Sequence, residues 1–247
     1  GLKLIAPGVF LPATCIICAL VSVSTGSSWS TAGTVGIALI GVGLQGRALL
    51  NACLNIPGIR FLAVCDIWEY AQQYGQRFLD RYGQSVRAYA DFQEMLDQKQ
   101  ELDAVLIATP DFAHAPQAVA CLEAGLHVYC EPMMAHTADG ARSMVRAMQK
   151  TGRLLQIGYQ RRSNPCYRHV RDVLLGKAEL AGRMTHVNTL WAHAVSEDRG
   201  WPRRFAIPDE VLERYGYADM HEFRNWQWFP RYSLGPCGVL GSHQLDI

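Results

Sequence analysis

A doubly wound parallel α/β sheet, Rossmann-like, followed by an incomplete α+β unit with a mostly antiparallel sheet, is the fold class this chain predicts. Three observations carry it. Apolar runs of strand length recur with helix-like segments between them. The runs are continuously apolar rather than alternating. The first of them passes straight into a glycine-rich turn and a helix. A strand apolar on both faces belongs in a sheet covered on both sides, and helical crossovers make such sheets parallel.

The first strand is read at Val35–Ile40, and Gly41, Gly43 and Gly46 follow it at G-x-G-x-x-G spacing, with a helix from Arg47. Gly41 permits the tight turn, Gly43 lets the backbone approach a pyrophosphate, and Gly46 lets helix and strand pack closely. Leu44 and Gln45 lie inside the motif and count with the glycines as cofactor-binding positions. The helix N-terminus offers N–H groups and the positive end of its dipole to phosphates. The second strand, 60–66, ends on Asp66, placed to accept hydrogen bonds from adenosine ribose hydroxyls. Ile67 and Trp68 follow it, so no adjacent Arg or Lys offsets a 2′-phosphate, and NAD is favoured over NADP.

Further along, Arg87–Tyr89 is a short strand candidate, and Asp91-Phe-Gln-Glu reads as a capping box. Strands at 104–108, His127–Cys130 and 154–159 complete the sheet. Thr137 is an N-cap, and Gly125 and Gly152 stop helices before strands. Ligands of such sheets bind beyond the carboxyl ends of the strands, which makes Asp66, Thr109, Pro110, Glu131 and Tyr159 the useful positions. After Asn164-Pro165 the pattern changes to a helix at 167–175 and an alternating run at 183–191, which suits an antiparallel sheet with one covered face. The expected division is a leader at 1–33, a dinucleotide-binding domain at 34–160 and the start of a substrate-binding unit at 161–247.

The chain has 247 residues, 49% of them hydrophobic, and a net charge of +1, which fits a globular protein with a substantial core. No basic block or aromatic-interleaved Lys/Arg stripe points to nucleic acid. The apolar run 9–23, with Lys3 upstream and small residues after it, has the layout of an export signal. It is short for a membrane span of about 20 residues, so no stable span is expected. A periplasmic location through a twin-arginine signal is the expectation, with a cytoplasmic protein as the alternative. The chain begins at Gly1 and stops inside a motif at Asp246-Ile247, which reads as a fragment, expected to be inactive by itself. Its eight cysteines, Cys15 and Cys18 in the leader among them, make no disulfide framework or metal-ligand spacing and read as reduced thiols.

With these residues in view, the chain from about residue 34 onward resembles the glucose–fructose oxidoreductase and inositol dehydrogenase family (Gfo/Idh/MocA). The motifs are Gly41-Val-Gly-Leu-Gln-Gly46, Val64-Cys-Asp66, Ala108-Thr-Pro-Asp-Phe-Ala-His114, His127-Val-Tyr-Cys-Glu131, Gly158-Tyr-Gln-Arg-Arg162 with Asn164-Pro165, and Gly241-Ser-His-Gln-Leu-Asp246. The resemblance implies a nicotinamide-binding domain, an antiparallel sheet facing the nicotinamide, a sugar or polyol substrate, and a homo-oligomer. By position it puts Thr109, Pro110 and His114 at the border of the cofactor and Glu131 near the nicotinamide ribose; His114 reads equally as helix-start packing, and Tyr159 either borders the nicotinamide or only packs at the rim.

Two departures bear on catalysis. Glu131-Pro132-Met133 stands where the family has Glu-Lys-Pro, so its lysine is absent, and Val239 stands where an aspartate is frequent. His243 is then the remaining acid/base candidate, with Asp246 either orienting it or capping a helix. His186 and His193 lie on the alternating run, and Asn225-Trp-Gln-Trp-Phe is either a sugar-stacking surface or packing. Three readings follow. The first is hydride transfer on a sugar or polyol. The second is a glycosidase-type oxidation and elimination through NAD. The third is a non-catalytic nucleotide sensor.

Overall fold

The computed structural model describes residues 34–98, 101–190 and 198–246. The leader, Trp191 and His193 lie outside the described residues. Six strands form one sheet: β1 (Val35–Ile40), β2 (Ile59–Cys65), β3 (Arg87–Tyr89), β4 (Ala104–Ile107), β5 (His127–Cys130) and β6 (Leu155–Ile157). Their order is β3-β2-β1-β4-β5-β6, with every pairing parallel. This is the expected Rossmann-like arrangement. β1 pairs with β2 on one side and β4 on the other, so the order reverses there and opens a crevice at the strand ends.

The crossovers are α1 (Leu44–Cys53), α2 (Glu69–Asp80), α3 (Phe92–Asp97), α4 (Asp111–Glu123) and α5 (Ala138–Thr151). Alternate side chains of β1 enter opposite cores, as the two-residue period of a strand requires. Ile37 and Leu39 pack with Leu49, Leu50 and Leu79 of α1 and α2. Ala38 and Ile40 pack with Met95, Leu122 and Met144 of α3, α4 and α5. The cap signals are realised: Asp91 accepts from Gln93 N at 2.7 Å, and Thr137 from Gly140 N at 3.1 Å. Gly152 closes α5 at φ +67°.

Cys53, Cys65, Cys121 and Cys130 are buried free thiols, as expected of reduced packing cysteines. Burial pushes Cys53 and Cys121 up to about 12, which keeps them from acting as nucleophiles.

Past residue 160 the expectation is only partly met. A helical turn, Pro165–His169, widens over Val170–Lys177 into i→i+5 bonding, seen in Ala178 N to Val173 O at 2.8 Å. Residues 183–190 form no strand and are exposed. The alternating pattern alone cannot hold a strand, because its N–H and C=O groups need a neighbour, and among the described residues none lies beside it. From residue 198 the chain instead forms a helical cover with α7 (Asp209–Arg214) and α8 (Met220–Arg224), counting Pro165–His169 as α6. The cover rests on the α1/α2 face of the sheet. Trp68 Nε1 donates to Phe205 O at 2.6 Å, and Leu234 N to Asp111 Oδ2 at 3.0 Å. Phe112 packs against both Tyr217 and Tyr232, with ring centroids 5.6 and 5.5 Å away.

Candidate cofactor-binding site

The turn after β1 has the geometry its sequence calls for. Gly41 sits at φ +90°, and a Cβ there would lie 2.6 Å from Ala108 O. A Cβ on Gly46 would lie 1.9 Å from Gly41 O, so α1 lies against the turn closer than any side chain allows. Gly43, by contrast, faces open space, with no atom within 4 Å of where its Cβ would be. It N-caps α1 without a side-chain cap, so bare backbone and the first N–H groups of a ten-residue helix meet the crevice.

The space they meet is a cavity of about 740 Å³, lined by Gly41, Gly43, Leu44 and Gln45 of the turn, Asp66, and Thr109 and Pro110 beyond β4. Its volume falls in the range of cofactor pockets, and the donor set suits an anionic dinucleotide.

Asp66 ties the strand ends together. Its carboxylate accepts from Val42 N at 2.8 Å and Trp68 N at 2.9 Å. Burial raises its pKa, against the two N–H bonds and the nearby Arg47 and Arg224. No base adjoins Asp66 along the chain, but two lie near it in space. Arg47 stands one turn into α1, its guanidinium 3.7 Å above the Tyr74 ring, and Arg224 of the cover lies 4.5 Å over Trp68. Arg47 directly follows the glycine motif, a signal that could have been read. Nothing local in the sequence ties Arg224 to Asp66.

A second group gathers at the ends of β5 and β6. Glu131 is buried; Tyr129 Oη donates to its Oε1 at 2.8 Å, and the Gln45 side chain also bonds it. Burial pushes Glu131 up to about 7 despite those two bonds. The Tyr129 hydroxyl fits only because residue 158 is glycine, where a Cβ would come within 2.1 Å of it. Tyr159 donates to Met133 Sδ at 3.4 Å and stands edge-on to His243, with centroids 5.7 Å apart. His243 is half-buried; burial, then Arg161, lowers its pKa, against the pull of Asp246.

Two of the sequence candidates are engaged by protein partners. His114 does not line the cavity: it is 1% exposed, with Nδ1 2.7 Å from Met133 O and Nε2 2.7 Å from Thr109 O. Its place one turn inside α4 folds the ring back between the ends of β4 and β5, where it links the two loops. Asp246 is held by Arg162, whose Nε reaches both carboxylate oxygens at 2.8 and 2.7 Å and whose Nη2 reaches Oδ1. The guanidinium offers a bidentate fork that outcompetes an imidazole for the same carboxylate.

The tryptophan-rich run divides as well. Trp226 and Gln227 line the cavity of the glycine turn, while Asn225 is buried and accepts from Arg199 N at 2.7 Å. His186 is exposed, with Nε2 3.0 Å from Asn188 Oδ1. Among the described residues no group of three or more His, Cys, Asp or Glu is arranged to hold a metal, and no helix is long and apolar enough to cross a membrane.

Residues 35–159 match the family model GFO_IDH_MocA, an oxidoreductase family with an NAD-binding Rossmann fold. The chain is 32% identical over 143 residues to an inositol 2-dehydrogenase of Salmonella typhimurium, covering 57% of this chain and 41% of that protein. A glycosyl hydrolase family 109 protein of Stenotrophomonas maltophilia is 26% identical over 251 residues, covering 93% and 54%. Among solved structures, myo-inositol dehydrogenase from Lactobacillus casei, in complex with NAD(H) and myo-inositol, matches at a TM-score of 0.53 and 26% identity, over 57% of this chain and 41% of that one. The chain thus spans about half the length of the relatives it matches.

Proposed function

The chain belongs to the GFO_IDH_MocA oxidoreductase family, which has an NAD-binding Rossmann fold, and from that premise we propose that it acts as an NAD-dependent oxidoreductase on a sugar or polyol. The observation that carries the proposal is the bare Gly43 backbone, open to a cavity that also holds Asp66, Thr109 and Pro110. NAD, when bound, supplies the acceptor for the hydride. The chain supplies the rest. The turn Gly41–Gly46 and the start of α1 hold the pyrophosphate, Asp66 holds the adenosine ribose, and Glu131 and Tyr159 serve the nicotinamide side. His243 takes the hydroxyl proton as the carbon is oxidised. Burial lowers its pKa, which keeps the ring neutral near pH 7, the form a base requires.

In the full-length protein, His243→Ala is expected to slow NADH formation from inositols or aldoses by about 100-fold or more while leaving NAD affinity intact. Unchanged turnover would remove His243 from the reaction. Failure of every polyol and sugar to yield NADH would sink the oxidoreductase reading. The family 109 relative, which matches nearly the whole chain, favours a second reading, transient oxidation and elimination. Release of an aglycone from a glycoside without net NADH is its signature. We also read residues 9–23 as an export signal and the native assembly as a homo-oligomer.

A further inference from the structure

Asp111 opens α4 directly after Thr109 and Pro110, yet it does not line the dinucleotide cavity. It is only 2% exposed, and a buried carboxylate without partners is strongly destabilising. The start of α4, a 13-residue helix, meets part of the need with the positive end of its dipole. Two other segments meet the rest. Oδ2 accepts from Leu234 N at 3.0 Å, and Oδ1 lies 3.5 Å from Nδ1 of His136, in the loop between β5 and α5. Neither Oδ1 nor Nδ1 has a hydrogen-bond partner among the described residues. A shift of a few tenths of an ångström brings them into bonding range, with the ring in its Nδ1–H form.

Leu234 is the junction between the cover and the segment that carries His243. Gly235 turns the chain at φ +70°, and its N–H donates to Ser233 Oγ at 3.0 Å. The wide turn Cys237–Gly241 then folds back on Leu234, so closely that a Cβ on Gly238 would lie 2.5 Å from Leu234 Cβ. α9 (Ser242–Leu245) follows without a break and bears His243. Its far end is held from the β6 side, where Arg161 Nη1 donates to Gln244 Oε1 at 2.7 Å and Arg162 grips Asp246. His243 thus sits between an anchor at residue 234 and another at 244–246. The two differ in stiffness. Arg162 is a long, largely exposed side chain that can follow its partner, whereas Asp111 is short and buried.

We propose that Asp111, braced by His136, is a positioning residue for His243: it pins the root of the segment that bears the imidazole to the end of β4. The proposal rests on the reading of His243 as the base of sugar or polyol oxidation. Productive geometry tolerates errors of about 0.5 Å, and a misplacement of about 1 Å costs about 100-fold in rate. Asp111 therefore acts on the reaction without touching the substrate or the dinucleotide.

The test uses the full-length protein and two readouts: steady-state kinetics, and the imidazole NMR signals of His243, assigned through His243→Ala and recorded without substrate. Asp111→Ala should lower kcat for the best sugar or polyol about 100-fold, with KM and NAD affinity changed less than about threefold. It should also displace the His243 signals. Asp111→Asn keeps an oxygen for Leu234 N and should return kcat to within about fivefold of the parent. His136→Ala removes only the brace and should fall between the two; it carries the same test should Asp111→Ala not fold. Unchanged kcat and unmoved His243 signals overturn the proposal. So does a fall in melting temperature and NAD affinity in step with kcat while the signals stay in place, which would make Asp111 a residue of the fold alone. If no sugar or polyol yields NADH, the oxidoreductase reading falls and the role of the anchor in it, whereas the His243 signals report on the anchor itself.

Discussion

Replacing Glu131 by glutamine is expected to stabilise the fold at about pH 8 by on the order of 3 kcal/mol and to flatten its pH dependence below neutrality. Glu131 is raised from 4.5 in the unfolded chain to about 7 in the fold. Between those values the folded state keeps a proton that the unfolded state has released. Stability therefore falls as pH rises through this window and levels off above about 7, once both states are ionised. Glutamine keeps a polar group beside the Tyr129 hydroxyl and Gln45 but never bears the charge. Urea unfolding at a series of pH values reads the effect. Parallel curves for the two proteins would mean that Glu131 is not the source.

Gly46→Ala and Gly43→Ala should part company although they are three residues apart in one motif. A methyl at residue 46 meets a backbone oxygen at 1.9 Å, a contact that only a shift of α1 can relieve. About 3 kcal/mol of stability should be lost, the upper end of overpacking, and nucleotide binding with it. A methyl at residue 43 meets nothing within 4 Å, so Gly43→Ala should keep its stability to within about 1 kcal/mol. It should nonetheless weaken NAD by more than about tenfold, because the methyl fills the space the backbone offers to phosphate. Thermal melts and calorimetry separate the two effects. Normal NAD affinity in Gly43→Ala would show that the pyrophosphate lies elsewhere.

The parallel sheet was legible because its information is local. β1, β4 and β5 are wholly buried runs, apolar throughout in β1 and β4 and broken only by His127 and the Tyr129 hydroxyl in β5, and the helix ends carry Asp91, Thr137 and Gly152 as explicit caps. Residues 183–190 carried an equally clear period and form no strand, since pairing is a property of two segments and only one was in view. The same limit governs the site. Gly41, Gly43 and Asp66 announce themselves through spacing along the chain. Arg224 reaches Asp66 only through the packing of a cover on a distant face. The partners of His114 and Asp246 were hidden for a related reason. Side chains of the right chemistry were visible, but not the carbonyls and the guanidinium that had already engaged them.

The contact of Trp68 Nε1 with Phe205 O joins the rim of the sheet to the cover across the mouth of the cavity. A dinucleotide that touches both would be a third body in that junction. By mass action the junction then inherits the chemical potential of the ligand: at one hundred times Kd the closed arrangement gains about 2.7 kcal/mol. If NAD touches both sides, resistance of the cover to a protease should climb with the logarithm of the NAD concentration, and resistance that ignores NAD would place the nucleotide on the sheet alone.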